Sequence, residues 1–442
     1  MPDSEVAEHP DSALLRRVVI AAALGNFLEW FDFAVYGFMA TLIGKHFFPS
    51  DDPTTSLLQT FAVFAVAFAL RPIGGLVCGM LGDRIGRKRV LSLTVLFIGA
   101  STTVIGVLPT YQEIGITATL LLCLARAVQG FSAGGEYAGA CTYVVEHAPA
   151  ERRARYSSFL PSGTFFAFAV AAGVSFAVSS WMSPAALDSW GWRIPFLVAA
   201  PVALLGFYIR HRLSETPMFR NLSADTSESA PLRGAFRTQL RTMLLLGGVI
   251  SASGLSFYTL TTYMSTYVEV VGKQSAPVAL LASVLALTFS AALSPFAGRI
   301  SDRVGRKVTA ATAGVAILVT AIPAFLLAGQ DSLGLIVLGQ CLLAIGVVLS
   351  LVAVAVLLSE LFPTRIRYTA SALTYNIAYT LFGGTAPFVA TFLISQTANQ
   401  LSPGFYLMIV SVLALVCALF IPETAGSPLD PRSERQQSLA QH

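Results

Sequence analysis

The chain has 442 residues; 55% are hydrophobic, only 12% are charged, the net charge is +4 and the mean hydropathy is +0.70. Charged residues are about half as frequent as the ~25% of soluble domains, too few to cover this much apolar surface in water. A soluble enzyme, a nucleic-acid-binding protein and a disordered chain are thereby excluded. The five cysteines (Cys78, Cys123, Cys141, Cys341 and Cys417) are scattered through apolar runs without a CxxC pair, which indicates neither a disulfide framework nor a zinc site.

Residues 1–15 are polar and acidic, which does not fit the basic start of a cleavable signal, and are expected to form a disordered N-terminal segment. From Arg16 onward twelve apolar stretches recur, at 18–44, 55–81, 90–109, 113–145, 156–181, 192–210, 242–271, 276–298, 308–328, 332–360, 368–396 and 403–421. Each has the ~20 residues that cross a ~30 Å hydrocarbon core. Backbone groups in lipid must be paired within the chain, so the stretches are predicted to be helices. The expected fold is all-α and integral to the membrane. Residues 16–210 form one six-helix bundle, 211–240 a linker with the polar run 221–231, 241–422 a second bundle and 423–442 a polar tail.

Orientation follows from Lys and Arg placement. Alternate connections hold 23 of the 28 basic residues, within 16–17, 84–89, 152–155, 210–241, 299–307, 365–367 and 432–435. The opposite connections hold Lys45, Arg193 and Lys273, and Arg71 and Arg126 fall inside helices. Both termini and the linker are therefore expected on the cytoplasmic side of the cell inner membrane.

Three motifs occur once in each half. Gly82-Asp83-Arg84-Ile85-Gly86-Arg87-Lys88 is echoed by Ser301-Asp302-Arg303-Val304-Gly305-Arg306-Lys307. Glu146 and Arg153 are echoed at the same spacing by Glu360 and Arg367, and Ser214-Glu215-Thr216 by Pro422-Glu423-Thr424. The two bundles are thus a parallel repeat, an arrangement that puts a substrate site at the bundle interface near the bilayer midplane.

Gly79-x-x-x-Asp83-Arg84-x-Gly86-Arg87-Lys88 and Arg126-Ala-Val-Gln129-Gly130-Phe-Ser-Ala-Gly134-Gly135-Glu136 resemble signatures of the major facilitator superfamily. Gly25 to Phe33, Arg71-Pro72-Ile73-Gly74-Gly75 and Trp190 to Phe196 resemble its metabolite:H+ symporter family. Leu24–Gly37, Ile209–Pro217 and Phe362–Tyr368 look most like the proline/glycine betaine proton symporters, whereas Phe382–Pro387 is similar to α-ketoglutarate and citrate symporters. The resemblance implies a proton-coupled importer of a small polar metabolite. A zwitterionic compatible solute and a di- or tricarboxylate both remain open. A non-transporting membrane sensor is a remote alternative.

Ionisable side chains inside helices are costly and usually functional. At ~100° per residue, Gly25, Glu29, Asp32 and Tyr36 fall within about 60° on the first helix. On the fourth, Arg126, Gln129 and Tyr137 form a second stripe. At ~1.5 Å per residue Asp32 lies about 18 Å, and Arg126 about 20 Å, from the outer ends, so the two are expected to meet. The family resemblance makes them the proton switch, with Glu29 a second carrier. A guanidinium beside a carboxylate favours the charged acid, and separation in low dielectric favours its proton.

Arg71 and Glu136 are expected to pair as a gate. In the loops, Asp83 and Asp302 are expected to attract helix ends, Arg87 and Arg153 to pair with Glu146, and Arg306 and Arg367 with Glu360. Trp30, Tyr36, Tyr137, Tyr258, Tyr263, Tyr375, Asn376 and Tyr379, with Gln129 and Arg126, are candidate walls of the cavity, because aromatic faces attract a quaternary ammonium. HExxH, GxSxG and P-loop patterns are absent, so no enzyme activity, cofactor or metal is expected. Uphill transport must then draw on an ion gradient, with protons, the substrate and the lipid bilayer as partners and a monomer as the working unit. In a background freed of the native cysteines, an impermeant maleimide added outside should label a cysteine placed at Asp51 or Gln330 but not one at Ser227. The reverse pattern would invert the topology.

Overall fold

A computed structural model describes residues 12–212 except 86 and 135, and 232–429 except 364 and 365. Among these residues helices carry the fold and no strand occurs. The first span, α1, comprises helices Ser12–Phe38 and Ala40–Phe47, followed by α2 (Pro53–Ile85) and α3 (Arg87–Val107). Span α4 comprises Ile116–Ser132 and Glu136–His147, α5 comprises Arg153–Ser157 and Phe159–Trp181, and α6 is Ile194–Arg212. Span α7 runs from Leu232–Tyr258 through a π turn, Thr259–Tyr263, into Met264–Val270. Then come α8 (Ala276–Val304), α9 (Arg306–Ala328) and α10 (Leu333–Glu360). Span α11 has the same plan as α7, with Arg367–Ala378, a π turn at Tyr379–Gly384 and Ala386–Thr397, and α12 is Ser402–Phe420. Among the described residues ten spans are long and apolar enough to cross a membrane, and α1 and α3 occupy the other two expected positions.

The outer faces carry exposed apolar side chains such as Leu120, Val319 and Ile409, while Ser, Thr, Arg, Asp and Glu side chains are buried. This reverses the pattern of a soluble bundle and suits hydrocarbon outside. Many of the buried hydroxyls donate to carbonyls one turn back, as Ser256, Thr259 and Thr261 do to Ala252, Leu255 and Phe257. Such back-bonding competes with the helical ladder, and the π turn of α7 begins where these residues cluster. Gly383 and Gly384 weaken α11 in the corresponding place.

The halves meet through matched contacts. Span α5 packs on α8 and α2 on α11, pairs related by a shift of six spans, and α1 packs on α7 and α4 on α10. Within the first half, α2 and α4 touch backbone to backbone. A Cβ on Gly74 would stand 1.7 Å from the Phe131 carbonyl oxygen, on Gly130 1.9 Å from that of Ala67, and on Gly134 2.0 Å from that of Arg71. Small residues permit this approach in membranes. Gly130→Ala should therefore force the two spans apart and cost more than the ~1–3 kcal/mol of ordinary overpacking. The comparison is Gly173→Ala, where the added methyl meets only Val284 at 4.0 Å. Thermal midpoints of the two purified variants should separate clearly, and equal midpoints would refute the close packing.

Candidate substrate and proton site

Four ionisable side chains are buried together in the first half: Glu29 and Asp32 on α1, Arg71 on α2 and Arg126 on α4. Arg71 pairs with Glu29, Nη2 to Oε1 at 3.3 Å. Its guanidinium also lies over the rings of Phe33 (4.7 Å), Phe68 (4.8 Å) and Trp30 (5.2 Å), while among the described residues its Nε finds no hydrogen-bond acceptor. The Glu136 side chain, the expected gate partner of Arg71, lies outside the described residues.

Arg126 donates to Gln129, whose own amide donates to Thr102 at 2.9 Å. Its guanidinium lies 4.1 Å from the centre of the Tyr36 ring. The expected contact with Asp32 is not made: Arg126 is held by the neighbour one turn away on its own helix. Among the described residues Asp32 Oδ1 meets no hydrogen-bond donor. Tyr36 turns its hydroxyl to the Thr60 carbonyl (3.0 Å), so its ring, not its polar end, serves the site.

The aromatic candidates separate into two groups. Tyr137 and Tyr375 stack across the bundle interface at 4.9 Å between centroids, Tyr375 stacks on Tyr379 at 4.1 Å, and Trp30 and Tyr258 stand edge-on to this column through Tyr137 and Tyr379. Asn376 completes the junction by donating to the Gly134 carbonyl at 2.7 Å. A narrow pocket remains between Glu29, Arg71, Gly134, Tyr137, Tyr375 and Asn376. Tyr263 stands apart from it, against Phe61 and Tyr267. One contributor escaped the sequence reading. Asn26 accepts from the Trp30 indole at 2.8 Å and donates to the Leu160 carbonyl at 3.0 Å, which fixes the indole and ties α1 to α5. Its place one turn before Trp30, in the Gly25–Phe33 stretch, was the available signal.

At the end bearing the repeated loop motifs, ion pairs cross between the halves. Arg153 meets Glu360 at 3.3 Å and Arg367 meets Glu146 at 2.7 Å. The expected pairing was within each half; each arginine reaches the opposite one, because the α5 and α11 ends it occupies abut the other bundle. Arg306 meets both Glu360 (3.2 Å) and Asp302 (3.0 Å). Asp302 also accepts from the backbone N–H of Ala154 and Arg155, 2.9 Å each, at the start of α5, where an acid complements the helix N-terminus. The side chains of Asp83 and Arg87 lie outside the described residues. Glu423 takes the N–H groups of Arg306 and Lys307 at the start of α9; burial pushes its carboxyl up, but the N–H groups of Ala425, Arg306, Lys307 and Thr424 together hold it below its usual range. The repeated Pro422-Glu423-Thr424 motif held this residue, but its partner was not legible.

At the other end α1 and α7 touch. A Cβ on Gly37 would stand 2.6 Å from Thr262, and Thr41 donates to Glu269 at 3.4 Å. The pocket therefore lies between two closed ends, walled by both halves and holding opposite charges. This is the construction of a membrane transport protein.

Comparison with known proteins agrees. The model of the Major Facilitator Superfamily matches residues 22–387 and again 274–441, and the chain belongs to that superfamily. It is 38% identical over 98% of its length to the glycine betaine/proline/ectoine/pipecolic acid transporter OusA of Dickeya dadantii (strain 3937), covering 88% of that protein. It is 38% identical over 95% of its length to the proline/betaine transporter of Escherichia coli (strain K12), covering 86% of it. The ectoine/proline transporter ProP of Corynebacterium glutamicum is likewise 38% identical, over 94% of this chain and 85% of that one. The fold is shared with the proton:xylose symporter XylE bound to 6-bromo-6-deoxy-D-glucose, with a TM-score of 0.74, 20% identity, and 97% and 99% of the two chains covered.

The crossed pairs have a direct test. Arg367→Ala and Glu146→Ala should each lower the thermal midpoint, and the double variant should lose clearly less than the sum, as for contacting pairs coupled by roughly 0.5–3 kcal/mol. Arg153→Ala and Glu146→Ala should be additive. Coupling in the second pair and not the first would restore the pairing within each half.

Proposed function

We propose that the chain is a proton-coupled symporter that imports a zwitterionic compatible solute, such as proline or glycine betaine, by alternating access. The observation that carries the reading is the central pocket, where opposite charges and an aromatic column from both halves share one enclosed space. The names of the relatives favour the same substrate class. The Phe382–Pro387 stretch, which carried the likeness to carboxylate transporters, has a packing use: Gly383 abuts Tyr258 and Gly384 abuts Phe68. A dicarboxylate would need two cations, and among the described residues Arg71 is the only one lining the pocket.

In this reading the motif-bearing end is cytoplasmic, with both termini and the 211–240 linker on that side of the inner membrane. The two six-helix bundles, 16–210 and 241–422, rock about the pocket, and the crossed pairs Arg153–Glu360 and Arg367–Glu146 latch the inner face until substrate and proton are bound. The chain works as a monomer. Asp32 carries the proton. Its carboxylate is buried one turn from Glu29 on the same face of α1, with no donor on Oδ1 among the described residues. Two adjacent buried acids cannot both stay ionised cheaply. Movement of Arg126 from Gln129 towards Asp32 would favour the charged acid and release the proton; its return would favour reprotonation.

Asp32→Asn should abolish uphill uptake driven by an inward proton gradient in proteoliposomes while leaving counterflow exchange within about tenfold of wild type, since a neutral amide mimics the protonated acid. Arg126→Ala should impair both. A variant with Asn at position 32 that still concentrates proline or glycine betaine would remove Asp32 as the essential carrier and put Glu29 in its place.

A further inference from the structure

The pocket holds an acid and a base in contact, and this constrains what enters it. Arg71 and Glu29 meet through one 3.3 Å contact. The guanidinium carbon lies over the rings of Trp30, Phe33 and Phe68, and among the described residues Nε has no hydrogen-bond acceptor. Both side chains line the pocket, and the wall from the second half is Tyr375 and Asn376, with Tyr375 stacked on Tyr137.

Resting on the transport reading above, we propose that the substrate enters by exchanging this ion pair: its carboxylate takes the edge of Arg71, and its ammonium centre takes the charge of Glu29 together with the faces of Tyr137 and Tyr375. An α-zwitterion presents its opposite charges one carbon apart, a spacing close to that of the pair it replaces. One protein ion pair becomes two protein–ligand pairs, and the net charge of the pocket does not change. A ligand with a single charge separates the two side chains and replaces the lost contact of only one, and breaking a buried ion pair without replacing it is heavily penalised. Aromatic faces add attraction for a quaternary or secondary ammonium over a neutral isostere. The two halves supply opposite walls, so only a ligand that spans Arg71, Glu29 and the tyrosine column draws them together. Arg71 and Glu29 thereby become specificity-determining residues.

The test uses the full-length protein in lipid nanodiscs and two isosteres of glycine betaine, choline without the carboxylate and 3,3-dimethylbutanoate without the ammonium charge. Binding is read by ligand-induced thermal shift and by titration of intrinsic tryptophan fluorescence. Wild type should bind glycine betaine at least tenfold more tightly than either isostere. Arg71→Gln should weaken glycine betaine at least tenfold and reverse its preference over choline, because the site then loses the cation that receives a carboxylate and keeps the acid that attracts an ammonium. Glu29→Gln should do the same in favour of 3,3-dimethylbutanoate. The double variant Glu29→Gln/Arg71→Gln keeps the site neutral and should prefer none of the three. Wild type that binds glycine betaine and both isosteres equally overturns the exchange whatever the variants do, and leaves the transport reading intact. So does Arg71→Gln that keeps wild-type selectivity. Wild type that binds neither glycine betaine nor proline overturns the zwitterion reading itself and the exchange with it.

Discussion

A guanidinium buried in the interior of a membrane protein must be matched by charge, by hydrogen bonds or by aromatic faces, and Arg71 draws on all three. Its partner, Glu29, comes from α1, its rings from α1 and α2, and its position from the backbone contact between α2 and α4. The Gly134 that lets α4 approach the Arg71 carbonyl also offers its own carbonyl to Asn376 of α11. Glycine packing, charge placement and the junction between halves are therefore one arrangement. A methyl group at Gly130 or Gly134 is a change to the charge geometry as much as to the packing.

The two ends of the pocket are closed by different chemistry. The motif-bearing end uses crossed carboxylate–guanidinium pairs, a helix N-terminus held by Asp302 and the Glu423 cap of α9. Exposed ion pairs are worth ~0–1 kcal/mol each, but Arg153, Arg306 and Arg367 are buried, and breaking such pairs leaves charges that need new partners or water. The opposite end has a glycine–threonine contact and one long hydrogen bond, Thr41 to Glu269. Opening there exposes little that water cannot satisfy at once. The costlier break is at the end carrying the repeated motifs.

Much of this was legible in the sequence. Hydropathy gave the helices, the duplicated motifs gave two like halves, and charged residues in apolar runs marked the buried set. Pairing was legible only in part: Arg306 meets Glu360 as expected, but other partners differ. Arg126 was matched to Asp32 because helical rise reports depth but not azimuth, and Arg126 turns to Gln129. Arg153 and Arg367 were matched to the glutamate of their own half because spacing along the chain reports proximity in the chain. The α5 and α11 starts instead face across the interface, a relation between halves that no local pattern encodes. Tyr36 was read from its helix face alone, and the Thr60 carbonyl that captures its hydroxyl belongs to another span.

The charge count of the central set bears on how a transmembrane potential acts. Glu29, Asp32, Arg71 and Arg126 sum to zero when all are ionised. A zwitterion exchanged into the Glu29–Arg71 pair leaves that sum at zero, whereas a proton on Asp32 raises it by one. Under the proposed mechanism the loaded carrier then moves with one positive charge and the empty carrier returns with none. A potential negative inside contributes ~2.3 kcal/mol per charge per 100 mV to the loaded step alone. A zwitterionic substrate would supply no charge to drive itself, so under this proposal the accumulating force enters through the proton. On that proposal, the neutrality that suits the pocket to a zwitterion leaves the coupling charge to a separate acid beside it.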